Sequence, residues 1–143
     1  MAHELRIRVF CGADVAIGPG RAALLEAIAE TGSISAAGRQ LGISYRKAWL
    51  LVDSMNRCHR EPLISTQKGG QKGGGAVLTP LGREVAQRYQ AMIEQAQQAV
   101  SEMLAGYQEL LAALPTSEAG DTRPPPPEHH HGERHLANPH RID

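Results

Sequence analysis

Along the first 79 residues, the order of hydrophobic and polar positions predicts two strands followed by three helices. Apolar and basic residues alternate over residues 5–10, which is the period-two pattern of a half-buried strand, and a short partner strand is predicted at residues 14–17. Farther along the chain, apolar residues recur at spacings of three and four, bracketed by residues that start and stop helices. The predicted helices cover residues 21–31, 34–41 and 45–57.

The apolar stripes of two of these helices predict which face each helix buries. In the first helix the stripe consists of Leu24, Leu25, Ile28 and Ala29. In the third helix it consists of Ala48, Leu51, Val52 and Met55. At 100° per residue, Arg46, Leu50 and Asp53 then point to the opposite side of the third helix. Trp49 lies on the flank, where we expect it to be a core or interface anchor.

Small residues are concentrated where the second helix meets the third. Ala36, Ala37 and Gly42 allow a close approach and a short turn, which is typical of a helix-turn-helix pair. The candidate N-caps are Ser33 or Ser35 for the second helix and Ser44 for the third. The alternative interpretation is an ordinary helical hairpin in an α-rich domain.

A glycine-rich segment separates two short segments of β type, at residues 62–66 and 76–79. Residues 67–76 contain five glycines, a composition typical of a flexible hairpin tip, and the hairpin is predicted to be a β-wing. A phosphate-binding P-loop is rejected because no Lys–Ser/Thr pair follows the glycines and a strand comes next instead of a helix. The alternative is a surface loop without a binding role.

The remaining hydrophobic pattern predicts one long helix over residues 80–114. Thr79 and Pro80 are an N-cap followed by proline at the first helical position. Apolar residues then repeat at seven-residue spacing, namely Val85, Tyr89, Met92, Ala96, Ala99, Met103 and Leu110. Because a small domain cannot bury a seam of this length alone, we expect a second copy of the helix to cover it, which makes the protein a homodimer.

The last segment, residues 115–143, is rich in proline, histidine and acidic residues, and we expect it to be a disordered tail. Its histidines include His129, His130 and His131, a tract that could take a divalent metal. Ordering such a segment costs conformational entropy, and no cysteine completes a metal site, so we expect no cofactor. The alternative is that the histidine tract binds a divalent metal. The predicted organisation is therefore a DNA-binding domain at residues 1–79, a dimerisation helix at 80–114 and the tail.

The distribution of charged residues along the chain indicates the class of ligand more clearly than the overall composition does. The net charge is +0, yet residues 33–83 contain eight basic and two acidic residues, a local charge of +6. Residues 84–121 contain one basic and six acidic residues, a local charge of −5. A basic middle region favours a polyanionic partner, so double-stranded DNA is the expected ligand.

Composition narrows the function classes further. No apolar run is long enough for a transmembrane helix and the N-terminus does not resemble a secretory signal, so a cytoplasmic location is expected. The only two cysteines, Cys11 and Cys58, are far apart in the sequence and are expected to be buried free thiols. No recognised nucleophile or metalloprotease motif occurs, so an enzyme is not expected.

The candidate DNA-binding residues are polar side chains of the helix-turn-helix pair and of the wing. They are Ser33, Ser35, Arg39, Ser44, Tyr45, Arg46, Lys47, Lys68, Gln71 and Lys72. The N-terminal turn of the second helix in such a pair reaches base edges, and Arg46 suits bidentate contact with guanine or a phosphate. Lysines of the wing are expected to contact the neighbouring DNA backbone.

Several motifs together resemble the N-terminal DNA-binding domain of the molybdate-responsive ModE family of transcriptional regulators. These are GISY at residues 42–45, the pair Ala48–Trp49, the pair Met55–Asn56 and the wing end GGGAVLT at residues 73–79. More distantly, the chain is similar to the head of LysR-type regulators. The resemblance covers residues 5–114 and implies a mainly helical α+β fold, a winged helix-turn-helix with a long dimerisation helix.

The resemblance also implies a dimer whose recognition helices enter successive major grooves of a palindromic site. The molybdate-binding domains of the family have no counterpart in this sequence, so DNA binding is expected to carry over and molybdate binding is not. Two alternatives stay open. One is a metal-responsive regulator that uses the histidine tract, and the other is a coiled-coil adaptor that binds proteins.

Overall fold

The computed structural model of the chain describes residues 4–67 and 75–113. These residues form four helices and two small antiparallel hairpins. In chain order the elements are β1 (Val9–Cys11), β2 (Asp14–Ile17), α1 (Pro19–Thr31), α2 (Ile34–Leu41), α3 (Tyr45–Cys58), β3 (Ile64–Gln67), β4 (Gly75–Leu78) and α4 (Pro80–Gln108). The fold class is therefore mainly helical with small β-hairpins, a winged helix-turn-helix followed by a long helix, as the sequence predicted.

The N-terminal hairpin is shorter than the alternation of residues 5–10 predicts. Leu5, Ile7 and Val9 are half-buried and the residues between them exposed, so the predicted alternation is confirmed. Only β1, however, pairs with β2, and the register shifts between Val9 and Phe10. The strand is short because its partner offers only four residues for pairing.

Helix α1 supplies much of the core, and its buried face differs from the prediction at one position. Leu24, Leu25 and Ile28 are buried as expected, but Ala29 is exposed and Ala27 is buried instead. The helix is thus rotated so that residue 27, and not residue 29, faces the core. Arg21, one turn before Leu25, is also buried and donates from Nη2 to Ser54 Oγ on α3 at 3.3 Å.

Local capping explains the bounds of α2 and of the α2–α3 turn. Ser33 is the N-cap of α2, and its Oγ accepts a hydrogen bond from the Ala36 backbone N–H at 3.1 Å. Gly42 ends the helix with φ of +71°, a left-handed conformation that glycine adopts without strain. The two helices approach closely at Gly38, where an added Cβ would lie 3.4 Å from the Ala48 Cβ. Ala37 is buried there as predicted, whereas Ala36 is only half-buried.

The wing strands β3 and β4 pair in register from Ile64 with Leu78 to Gln67 with Gly75. Asn56 of α3 holds the base of this hairpin, because its Oδ1 accepts from the backbone N–H groups of Leu63 at 2.8 Å and Ile64 at 3.1 Å. The predicted wing residues Lys68, Gln71 and Lys72 lie outside the described residues.

Helix α4 runs from Pro80 to Gln108, six residues short of the predicted end. Thr79 caps it, with Oγ1 accepting from the Gly82 backbone N–H at 3.0 Å. Tyr89 is buried and donates its hydroxyl to the Ile7 carbonyl at 2.6 Å. Within residues 4–67 and 75–113, no helix is both long and apolar enough to cross a membrane.

Two sequence-based assignments on α4 are corrected by this packing. Val85 and Tyr89 were predicted in the dimerisation seam, but both pack against the core of their own chain. The start of α4 packs on α1 and β4, so apolar residues there contact their own chain and not a second copy.

Candidate nucleic-acid interface

The N-terminal turn of α3 forms an exposed polar edge of the helix-turn-helix pair. Ser44 is the N-cap, and its Oγ accepts from the Lys47 backbone N–H at 3.0 Å. This cap fixes the first turn, so the side chains of Tyr45, Arg46 and Lys47 leave the helix in set directions. All three are exposed, while Ala48 directly after them is fully buried. The prediction that these side chains lie together at one helix end is confirmed.

The two cations of this turn are free to bind an external anion. Within the described parts of the chain, neither Arg46 nor Lys47 forms a side-chain hydrogen bond or ion pair with another residue. The helix N-terminus adds a partial positive charge and unsatisfied N–H groups. The Arg46 guanidinium, the Lys47 ammonium and the dipole of α3 therefore all attract a phosphate or an electronegative base edge.

An apolar surface continues from this basic turn along the exposed side of α3. The rings of Tyr45 and Trp49 meet edge to face, with centroids 6.3 Å apart and planes at 82°. Trp49 is 37% exposed and Leu50 is 52% exposed. Of the two expected roles of Trp49, the core anchor is therefore wrong, since the buried face of α3 leaves residue 49 outside it, while the interface anchor stays a prediction. Apolar groups of this kind can contact thymine methyl groups in a major groove.

Further along α3 the exposed charges are compensated within the helix. Arg57 forms an ion pair with Asp53, one turn earlier, with Nε and Oδ2 3.1 Å apart. Exposed pairs of this type contribute about 0.3–0.5 kcal/mol and reduce the charge offered to a ligand. The uncompensated positive charge of α3 therefore lies at its N-terminus.

Helix α2 contributes fewer free groups than the sequence predicts. The Ser33 hydroxyl is used as the N-cap of α2, and Ser35 Oγ accepts from Arg39 Nη1 at 3.0 Å. Arg39 is exposed, and its guanidinium retains further donors beyond this hydrogen bond. Of the three candidates on α2, Arg39 is the one best placed to reach a phosphate.

The wing is attached to the helix-turn-helix pair by backbone hydrogen bonds. The Ala76 N–H of β4 donates to the Gly32 carbonyl, between α1 and α2, at 2.9 Å. On β3, Ser65, Thr66 and Gln67 are exposed. These three polar residues are not among the candidates predicted from the sequence; alternation along a strand would have indicated only every second one, and the exposure of all three reflects a hairpin that leaves the sheet surface open on both faces here.

A metal centre finds no support in the described residues. Across residues 4–67 and 75–113, no group of three or more His, Cys, Asp or Glu side chains could hold a metal ion. The predicted candidates His129, His130 and His131 lie outside these ranges.

Comparison with known proteins agrees with this geometry. Residues 21–83 match the family described as bacterial regulatory helix-turn-helix protein, lysR family. The chain carries a LysR-type helix-turn-helix domain. The matched segment extends from α1 through the α2–α3 pair and the wing strands to the first turn of α4, so it contains every described candidate of the interface.

Curated relatives of the LysR-type domain confirm the resemblance to the N-terminal part of ModE. The molybdenum-pterin-binding protein MopB of Rhodobacter capsulatus is 42% identical over 95 residues, which are 66% of this chain and 34% of MopB. The molybdenum transport protein ModE of Azotobacter vinelandii is 42% identical over 77 residues, 54% of this chain and 28% of that protein. The DNA-binding transcriptional dual regulator ModE of Escherichia coli (strain K12) is 41% identical over 81 residues, 57% of this chain and 31% of that protein.

The chain thus spans about a third of the length of these curated relatives. Among solved structures, the crystal structure of a CbnR DNA-binding domain–DNA complex superposes with a TM-score of 0.48 at 18% identity. That match covers 62% of this chain and 95% of the CbnR chain.

Proposed function

We propose that this protein is a sequence-specific DNA-binding transcriptional regulator whose LysR-type domain places α3 in the major groove. The observation that carries the proposal is the exposed N-terminal turn of α3, where Arg46 and Lys47 have no partner among the described residues. In helix-turn-helix proteins the second helix of the pair reads base edges with its N-terminal residues. No catalytic role is part of this proposal.

Each exposed group of the surface takes a part in the proposed complex. Arg46 reads a base edge, and Lys47 and Arg39 contact phosphates. Tyr45 and Trp49 present apolar edges to the groove. The wing residues Lys68, Gln71 and Lys72 are proposed to contact the adjacent backbone. Because phosphate contacts dominate affinity, binding should weaken as salt rises, with log Kobs falling by about 0.9 per contacted phosphate for each unit of log salt concentration.

We further propose that the regulator binds a palindromic operator as a homodimer joined through the outer half of α4. Packing against the core ends near Ile93, so the following 15 residues of α4 extend about 22 Å beyond it. At 100° per residue, the apolar residues of this half, apart from Ala105, fall on one arc of about 140°. Met103 is 75% exposed and Leu110 78% exposed. A two-fold axis through such a seam would present two recognition helices to two half-sites.

The proposal assigns no cofactor to the described residues and a cytoplasmic location, where the chromosomal DNA of a bacterial regulator lies. The printed names of the curated relatives connect them with molybdenum, and we extend only DNA binding from them, because the matched region is about a third of their length. A metal-responsive regulator would show duplex affinity that changes with added divalent metal. An adaptor would not shift DNA at all.

The test of base reading replaces Arg46 with alanine. A duplex selected from a random library by the wild-type protein serves as the specific probe, and a scrambled duplex serves as the non-specific one. We expect Arg46→Ala to lose about 1–3 kcal/mol of discrimination between the two, because a bidentate contact is removed. Fluorescence anisotropy at several salt concentrations measures both affinities.

Arg88→Ala is the matched control, because Arg88 is also exposed but lies on α4, paired with Glu84 at 2.8 Å. The control should bind both duplexes as the wild type does. Unchanged affinity of Arg46→Ala for both duplexes would remove Arg46 from base reading. Failure of the wild-type protein to enrich any duplex would refute the DNA-binding proposal itself.

A further inference from the structure

The only two cysteines of the sequence, 47 positions apart, come together at one edge of the fold. Cys11 is the last residue of β1 and pairs across the hairpin with Asp14 of β2. Cys58 is the last residue of α3, and its Sγ lies 3.9 Å from the carbonyl oxygen of Val15, the residue after Asp14. Cys11 is exposed and Cys58 is partly exposed. The expectation of two buried thiols is therefore wrong, because the hairpin turns its Cys11 end toward solvent.

The Cys11 side chain is also part of the electrostatic surroundings of Cys58. The pKa of the Cys58 thiol is raised, first by burial and then by its interactions with the Cys11 side chain. Asp14 raises this pKa further and Arg21 opposes the rise. A raised pKa keeps Cys58 protonated, so the more exposed Cys11 is the thiol that meets an external oxidant first.

We propose that Cys11 and Cys58 are a modification site, a thiol pair that a peroxide converts to a reversible intramolecular disulfide. The Cys11 thiol ionises, its thiolate attacks one peroxide oxygen and the O–O bond breaks, which leaves a sulfenic acid; the hydroxide released takes up the proton lost by the thiol and forms one water. Cys58 sulfur then attacks Cys11 sulfur, the S–O bond breaks, and the hydroxyl leaves as a second water with the Cys58 proton. One hydrogen peroxide thus takes two electrons from two thiols.

The disulfide adds a covalent link between two elements that the reduced protein joins by non-covalent contacts. It links the C-terminal end of α3, the proposed recognition helix, to the N-terminal hairpin, and it closes a loop that contains α1 and α2. A cross-link over a loop of this length lowers the conformational entropy of the unfolded chain, and the folded state is therefore more stable relative to it. In a reducing compartment such a bond forms transiently and reports the presence of oxidant. This inference does not depend on the DNA-binding proposal.

The test treats the folded, full-length protein with hydrogen peroxide and follows it by intact mass and peptide mapping. We expect the loss of two hydrogens, a linked peptide that contains Cys11 and Cys58, and full recovery with dithiothreitol. The thermal unfolding midpoint of the oxidised protein should rise by roughly 5–15 °C. Cys11→Ser and Cys58→Ser are the matched controls, and neither can form the linked peptide or gain this thermal shift.

Three results would overturn the proposal. The first is oxidation that stops at sulfenic or sulfinic acid on separate cysteines. The second is a disulfide that joins two copies of the chain. The third is a linked peptide that forms only after denaturation, because it would show that the native fold does not bring the thiols together.

Discussion

Gly82, in the first turn of α4, is the position where the fold tolerates no side chain. A Cβ built there would overlap the carbonyl oxygen of Leu63 and lie 3.0 Å from its carbonyl carbon. That carbonyl cannot simply move, because it accepts a hydrogen bond from the Thr79 backbone N–H at 2.9 Å. The contact is therefore between two pieces of backbone, the start of α4 and the strand segment that leads into the wing.

The expected change in the free energy of unfolding follows from two opposing effects of Gly82→Ala. Alanine favours the helix over glycine by about 1 kcal/mol. Against this, overpacking costs about 1–3 kcal/mol or more, and loss of the hydrogen bond at the Leu63 carbonyl adds about 1 kcal/mol. We expect a net destabilisation of about 1–3 kcal/mol, which is a large share of the roughly 5–15 kcal/mol that stabilises a domain.

Gly106 is the matched control in the same helix, since a Cβ there would have no atom within 4 Å. Gly106→Ala should be neutral or stabilise the protein by up to about 1 kcal/mol. Urea unfolding at one fixed protein concentration measures both variants, and a shift of about 1–2 M in the midpoint is expected for Gly82→Ala. If Gly82→Ala is as stable as the wild type, the close approach of α4 to Leu63 does not exist in solution.

Two further predictions concern the wing and the dimer. Asn56→Ala removes the side chain that accepts from the Leu63 and Ile64 N–H groups and donates from Nδ2 to the Ile64 carbonyl, so we expect a loss of about 2–4 kcal/mol in urea unfolding. Asn56→Asp keeps the two acceptor bonds but sets a carboxylate oxygen against the Ile64 carbonyl, so it should be destabilised as well; an Asn56→Ala variant as stable as the wild type would show that these hydrogen bonds do not stabilise the wing. Met103→Glu places a charge in the proposed seam and should raise the dimer dissociation constant at least tenfold in sedimentation equilibrium, whereas Ser101→Glu outside the apolar arc should not. A dimer that survives Met103→Glu unchanged would place the interface elsewhere.

Helix starts and stops were the most predictable part of the fold. The bounds of α2 agree with the prediction at both ends, and α3 begins at the predicted Tyr45. The reason is that Ser33, Ser44 and Gly42 act through hydrogen bonds to residues three or four positions away. The exposed basic turn of α3 was predictable for the same reason, since the cap fixes where the helix begins and the apolar stripe fixes which side is buried.

The sequence by itself determined the elements, their order and the basic N-terminal end of α3, because these depend on neighbours along the chain. Tertiary structure alone decided the burial of Arg21, the exposure of Trp49 and the use of Tyr89 by its own core. It also decided that Cys58 lies at the N-terminal hairpin, beside Cys11. Each of these depends on how one helix is rotated and seated against another. Hydrophobic periodicity leaves that rotation uncertain by about one residue, or 100°, and it carries no information on which distant residues meet.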